Sequence, residues 1–127
     1  MHLRSSRRKT LISARGFSLV ELLVVVAILG LLAAFAIPQF MSYRASAVDS
    51  QMKGDLKNAA LAMESYFAEK KTYPTSLAAI IAAGFTQTDG VALTIDVNSP
   101  SSFRLTATKA SGTQPSFTFD STTGDVN

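Results

Sequence analysis

The chain of 127 residues contains no cysteine, and its single histidine is His2. Without thiols there is neither a disulfide framework nor a thiolate metal site, so any folded head must hold without covalent staples. With histidine confined to position 2, His-based triads, imidazole general bases and His-ligated metals are excluded from the rest of the chain. No enzyme activity, cofactor or metal is expected. Basic residues are missing over a long interval too, with none between Arg15 and Arg44. Five of the twelve Lys and Arg (Arg4, Arg7, Arg8, Lys9, Arg15) precede Phe17, which leaves seven basic against nine acidic side chains in the remainder. The isoelectric point of about 9.5 therefore belongs to the first residues. A mildly acidic remainder argues against nucleic-acid binding through bulk charge. Length allows one small domain plus an anchor.

Against these absences stands one long apolar run. Phe17 to Ile37 is interrupted only by Ser18, Glu21 and Gly30, and as a helix it is long enough to cross a hydrocarbon core of about 30 Å. The basic residues before it and their absence after it orient the N-terminus to the cytoplasm and the bulk of the chain outward. A secretory signal peptide cut near Ala34-Phe35-Ala36 fits less well. The run exceeds the usual apolar core of about 7 to 15 residues, and it contains a carboxylate. Pro38 would also stand second after the cut. A plain uncleaved anchor explains the span but not Glu21, because a charge at membrane depth costs roughly 2.5 to 3.5 kcal/mol unless it is paired or near the interface.

Gly16-Phe17-Ser18-Leu19-Val20-Glu21 followed by Leu22-Leu23-Val24-Val25-Val26-Ala27-Ile28 resembles the class III signal and N-terminal helix of type IV pilins. The resemblance continues through Ile37-Pro38-Gln39-Phe40, Tyr43-Arg44, Tyr66-Phe67-Ala68 and Thr72-Tyr73-Pro74-Thr75-Ser76-Leu77, where it is similar to the slender type IVa major pilins of Geobacter-like bacteria. It implies that a prepilin peptidase removes a leader of residues 1–16 by cutting between Gly16 and Phe17, and that Phe17 is then N-methylated. It further implies an assembly role for Glu21, whose carboxylate would pair with the new amine of Phe17 or of a neighbouring copy. Such pairing offsets the cost of burying the charge; snorkelling of Glu21 to the interface is the alternative. Partners implied in the same way are further copies of the chain in a helical homopolymer, a pilus assembly ATPase and an inner-membrane platform. Many pilins carry a C-terminal disulfide that this chain cannot form.

Beyond the membrane-spanning residues 17–38, Val48, Met52, Leu56, Ala59, Met63 and Phe67 recur every three or four residues and draw one apolar stripe along a helix over 39–72. Asp49, Gln51, Lys53, Asp55, Lys57, Asn58 and Glu64 are assigned to its other faces. Gly30 and Pro38 mark a place for a helix bend or local unwinding, and the resemblance implies melting there on assembly. Tyr73 before Pro74 ends the helix near Lys70 to Thr72. Residues 73–90 read as a connecting loop with a short helix, capped by Thr75 or Ser76 and stopped by Gly84. From Val91 the period becomes two, giving strands at Val91–Val97, Phe103–Thr108 and Phe117–Phe119, with a last hairpin through Thr122–Asp125 to Val126. The expected fold class is α+β: a long N-terminal helix packed against an antiparallel sheet of three or four strands over 91–127.

Other constellations are thinner. Asp120 and Asp125 fall short of the six to eight oxygens calcium takes, so they read as turn residues. Arg104, Lys109, Lys70 and Lys71 are the candidates for a DNA-binding patch, but they are scattered and without interleaved exposed aromatics, and a solvated surface is the better reading. Phe17, Phe40, Tyr43, Tyr66, Phe67 and Tyr73 read as packing residues rather than an electron relay. The expected protein is a precursor in the inner membrane that becomes the major subunit of an extracellular filament for adhesion, twitching motility or DNA uptake. The alternatives are the major pseudopilin of a type II secretion system and a monomeric membrane-tethered binding module.

Overall fold

A computed structural model describes residues 15–127; the basic residues Arg4, Arg7, Arg8 and Lys9, His2 and most of the expected leader lie outside the described residues. The chain divides into two units, Met1–Ala36 and Ile37–Asn127. Helix α1, Leu19–Lys70, contributes to both. Its first part is apolar on every face, and none of its membrane-length apolar window is buried. The helical assignment continues through Gly30 and Pro38.

In the second unit the expected stripe is the buried face. Met52, Leu56, Ala59 and Met63 are fully buried, with Val48 packed at the edge of the same cluster. Helix α1 ends where the Tyr73-Pro74 pair requires, with Lys71 at a φ of 60° donating its N–H to the Phe67 carbonyl at 2.8 Å. Helix α2, Leu77–Ala82, is capped by Ser76, whose Oγ accepts from the Ala79 N–H at 3.3 Å. It closes as a Schellman turn. Gly84, at a φ of 104°, and Phe85 donate to the carbonyls of Ile81 and Ile80, and the left-handed position suits glycine.

Three strands follow, β1 (Ala92–Ser99), β2 (Ser102–Thr108) and β3 (Ser116–Asp120), antiparallel and in that order across the sheet. The register aligns Leu93, Ala107 and Phe117 on the buried face, and Thr94, Thr106 and Thr118 on the other. This is the alternation that a sheet with one solvated face requires. The first strand extends two residues past the expected end. Ser99 pairs with Ser102 beyond a register shift that follows Asp96, and their hydroxyls lie 2.7 Å apart. The expected last hairpin is a single bridge between Phe119 and Val126, reinforced by reciprocal backbone bonds between Thr118 and Asn127. Phe67, Tyr73, Phe103 and Phe119 form a chain of rings with successive centroids 4.5, 4.8 and 6.0 Å apart. The Tyr73 hydroxyl donates to Glu64 at 3.0 Å.

Candidate functional site

The N-terminal segment reads from the backbone outward. Arg15 to Ser18 carry no helical assignment and are exposed, and a Cβ at Gly16 would meet no atom within 4 Å. Phe17 is 83% exposed. Helix α1 begins immediately afterwards through a reciprocal pair: the Ser18 N–H donates to Glu21 Oε2 at 2.7 Å, and the Glu21 N–H donates to Ser18 Oγ at 3.2 Å. A helix start leaves backbone N–H groups without partners, and a Ser-x-x-Glu box supplies acceptors for two of them. Glu21 is thus held beside the backbone three residues before it. The motif Ser18-Leu19-Val20-Glu21 has the Ser-x-x-Glu spacing of a capping box, a local signal that the sequence reading did not use.

Further along, the large apolar residues from Leu22 to Leu32, with Phe35 and Ile37, keep half or more of their surface exposed. A Cβ at Gly30 would meet nothing within 4 Å, so no contact inside this chain demands glycine there.

The head is fastened by carboxylates that sequence reading had placed on the helix's outer faces. Asp55 is buried to 3% exposure; its oxygens accept from the Thr88 N–H at 2.9 Å and the Thr88 hydroxyl at 2.6 Å. Asp49 takes the Thr113 N–H at 2.8 Å and also the Thr113 hydroxyl. Hydrogen bonding to that hydroxyl holds the Asp49 carboxyl below its ordinary range. Asp55 ties the loop before β1 to the helix, and Asp49 ties the β2–β3 loop. Lys109 adds a third tie, donating to Gln51 Oε1 at 2.9 Å and to the Asp89 carbonyl at 2.7 Å. These three polar ties fasten two loops, the one before β1 and the one between β2 and β3, without a disulfide. They were hidden from the sequence because their partners lie 20 to 64 residues away.

The remaining candidates do not converge. Asp120 accepts from the Thr122 hydroxyl at 2.6 Å, the Thr122 N–H at 2.9 Å and Arg104 Nη2 at 2.8 Å, which together hold its carboxyl at about 2. Its oxygens are therefore engaged within the protein, while Asp125 closes the turn through its backbone. Among the described residues no cluster of three or more carboxylate or imidazole groups could hold a metal. Of the four cations considered for DNA, three have partners within the protein: Arg104 pairs with Asp120, Lys70 with Glu69 at 2.8 Å, and Lys109 with Gln51 and Asp89.

A helix with a bare, membrane-length apolar half, joined in sequence to a small head of α2 and a three-stranded antiparallel sheet, defines the class of helix-anchored subunits that carry an α+β head. Residues 12–37 match the prokaryotic N-terminal methylation motif, and residues 38–118 match the family described as type IV minor pilin ComP, DNA uptake sequence receptor. The chain is 34% identical over 102 residues to the type IV wide pilus major component PilA4 of Thermus thermophilus, covering 80% of this chain and 78% of that protein. It is 49% identical over 59 residues to the type IV major pilin protein PilA of Myxococcus xanthus, covering 46% of this chain and 27% of that protein. The type II secretion system core protein G of Pseudomonas aeruginosa is 44% identical over 61 residues, or 48% of this chain and 43% of that protein. The match thus spans well under half the length of the Myxococcus and Pseudomonas relatives. The chain belongs to the type IV pilins.

Proposed function

We propose that this chain is the precursor of the major subunit of a type IV pilus, a structural rather than catalytic protein. One observation carries the reading. The head closes its own core, while the apolar half of α1 is left bare around its whole circumference with one carboxylate, Glu21, at its start. Apolar surface of that extent needs either lipid or other apolar helices around it. A membrane supplies the first before assembly, and further copies supply the second in a filament.

In this reading prepilin peptidase cuts between Gly16 and Phe17. The exposed, non-helical Gly16 leaves the backbone open to it, and Phe17 is then methylated. The precursor sits in the inner membrane with its N-terminus cytoplasmic and its head periplasmic, and the product is extracellular. Glu21 sets register by pairing with the Phe17 amine of its own or an adjacent copy, which offsets the cost of burying its charge. Gly30 and Pro38 weaken the backbone hydrogen-bond ladder between them, so this stretch is where α1 extends as copies pack. An assembly ATPase and an inner-membrane platform drive extrusion. DNA is not assigned as a partner, because three of the four candidate cations are already engaged.

The test is the pair Glu21→Ala and Glu21→Val, with sheared surface filaments quantified and the first residues of the subunit measured by mass. Lost filaments with normal cleavage support the reading; normal filament yield and length contradict the register role. The likeness to the secretion protein over 61 residues keeps a pseudopilin as the second reading, favoured if the chain supports secretion without forming surface filaments. An uncleaved chain beginning upstream of Phe17 would instead indicate a monomeric tether.

A further inference from the structure

Hydrogen bonds at the start of α1 do something the assembly role of Glu21 does not require. Ser18 and Glu21 are joined in both directions, N–H to carboxylate at 2.7 Å and N–H to hydroxyl at 3.2 Å, and Leu19 is the first helical residue. The Gly16–Phe17 bond consequently lies two residues outside the helix, in an exposed segment with no regular hydrogen bonding. Gly16 disfavours helix by about 1 kcal/mol relative to Ala but does not forbid it, so without a cap the helix start is only weakly fixed at that point. Phe17 is apolar and compatible with a helix, and the run that follows is already helical. One more turn of helix toward the N-terminus would draw the Gly16–Phe17 amide into the helix. There its carbonyl is hydrogen-bonded along the axis and shielded by side chains, which hinders attack by a protease.

We propose that Ser18 is a positioning residue for leader removal: by capping α1 together with Glu21, it keeps the Gly16–Phe17 bond non-helical and open to the peptidase. The inference rests on the cleavage reading given above and adds to it a reason for a hydroxyl one residue past the cut. It also gives Glu21 a hydrogen-bonded partner in the precursor, before the Phe17 amine exists. The same carboxylate thus has two successive partners. It accepts from the Ser18 N–H first, and from an ammonium once the chain has been cut. No covalent chemistry is assigned to Ser18; the bond broken is the Gly16–Phe17 amide, by water, in the active site of the peptidase.

The experiment follows leader loss by pulse-chase in membranes containing the full-length precursor and a prepilin peptidase, with the new N-terminus identified by mass. The variants are Ser18→Ala, Ser18→Thr, Ser18→Asp and Glu21→Gln. Loss of the cap in Ser18→Ala is expected to slow cleavage about fivefold, the size of a typical N-cap deletion. Ser18→Thr and Ser18→Asp should restore the rate, because both side chains cap. Glu21→Gln keeps an acceptor oxygen for the Ser18 N–H and should be cleaved at close to the normal rate while failing to assemble. In detergent micelles the Phe17 Cα shift should move toward helical values in Ser18→Ala alone. Wild-type chain left uncut at Gly16 would overturn the cleavage reading beneath the proposal. Wild-type cutting with Ser18→Ala cut equally fast would overturn the capping role alone, as would slow cutting that neither Thr nor Asp repairs.

Discussion

The two parts of α1 are built from similar residue types and meet opposite fates. From Leu19 to Ala36 apolar side chains point in every direction and are almost all exposed; from Met52 to Met63 all but Leu61 lie on one buried stripe under the sheet. The difference lies in what occupies the positions between. In the second part Lys53, Lys57, Asn58 and Glu64 give the helix a wet face, so one sheet is enough to finish it. In the first part there is no wet face, and no single small head could cover it. The head is complete in one copy, whereas the apolar half calls for a surrounding medium or for other copies.

The largest expected effect separates the two parts directly. Phe103→Ala removes a ring that is 1% exposed at the centre of the head and should cost about 3 to 5 kcal/mol, read as a lower melting temperature of the full chain in detergent. Val24→Ala, in the bare half, should leave that melting transition within about 0.5 kcal/mol and lower filament yield instead. Equal loss of head stability from both would break the comparison. Next comes Asp55→Ala, which strands the Thr88 N–H and hydroxyl and should cost about 1 to 3 kcal/mol. Thr88→Val combined with it should show strong non-additivity in a double-mutant cycle. Gly112→Ala follows, since its Cβ would stand 2.6 Å from Asp49 Oδ1 and 2.9 Å from the Gln114 carbonyl. A cost of about 1 kcal/mol with displacement of the β2–β3 loop is expected, visible as faster amide exchange at Thr113.

The smallest effect is on the acid side. Asp120 has its carboxyl lowered from 3.8 to about 2 by the Thr122 hydroxyl, Arg104 and the Thr122 N–H. A folded value below the unfolded one means the contribution is present above about pH 4 and fades as pH falls toward 2. Asp49 shifts in the same direction. Because both are only partly buried, the expected change is a slight fall in melting temperature between pH 4 and 2, reduced in Asp120→Asn. A fall between pH 7 and 5 would point to other groups.

Much of this was legible in the residues. The period of three to four from Val48 to Phe67 and the period of two from Val91 gave the helix face and the strands, because burial on one side imposes both patterns. Tyr73-Pro74, Ser76 and Gly84 marked boundaries through local sterics alone. Asp49 and Asp55 were misplaced on the wet face because a carboxylate's burial depends on a distant donor, here Thr113 or Thr88, that no local pattern reveals. The Ser18–Glu21 box was local and readable, but the membrane argument for Glu21 drew attention away from its neighbour. Ser99 joined β1 because a register shift let it pair with Ser102, and serine-proline chemistry alone reads as a turn.

Electron cryo-microscopy of material sheared from the cell surface tests the central claim most directly. The account predicts a fibre whose axis is lined by the Leu19–Ala36 segments of successive copies, each Glu21 lying against a Phe17 amine. Chains that remain singly in the membrane, or a fibre with those apolar segments on its outer surface, would contradict it.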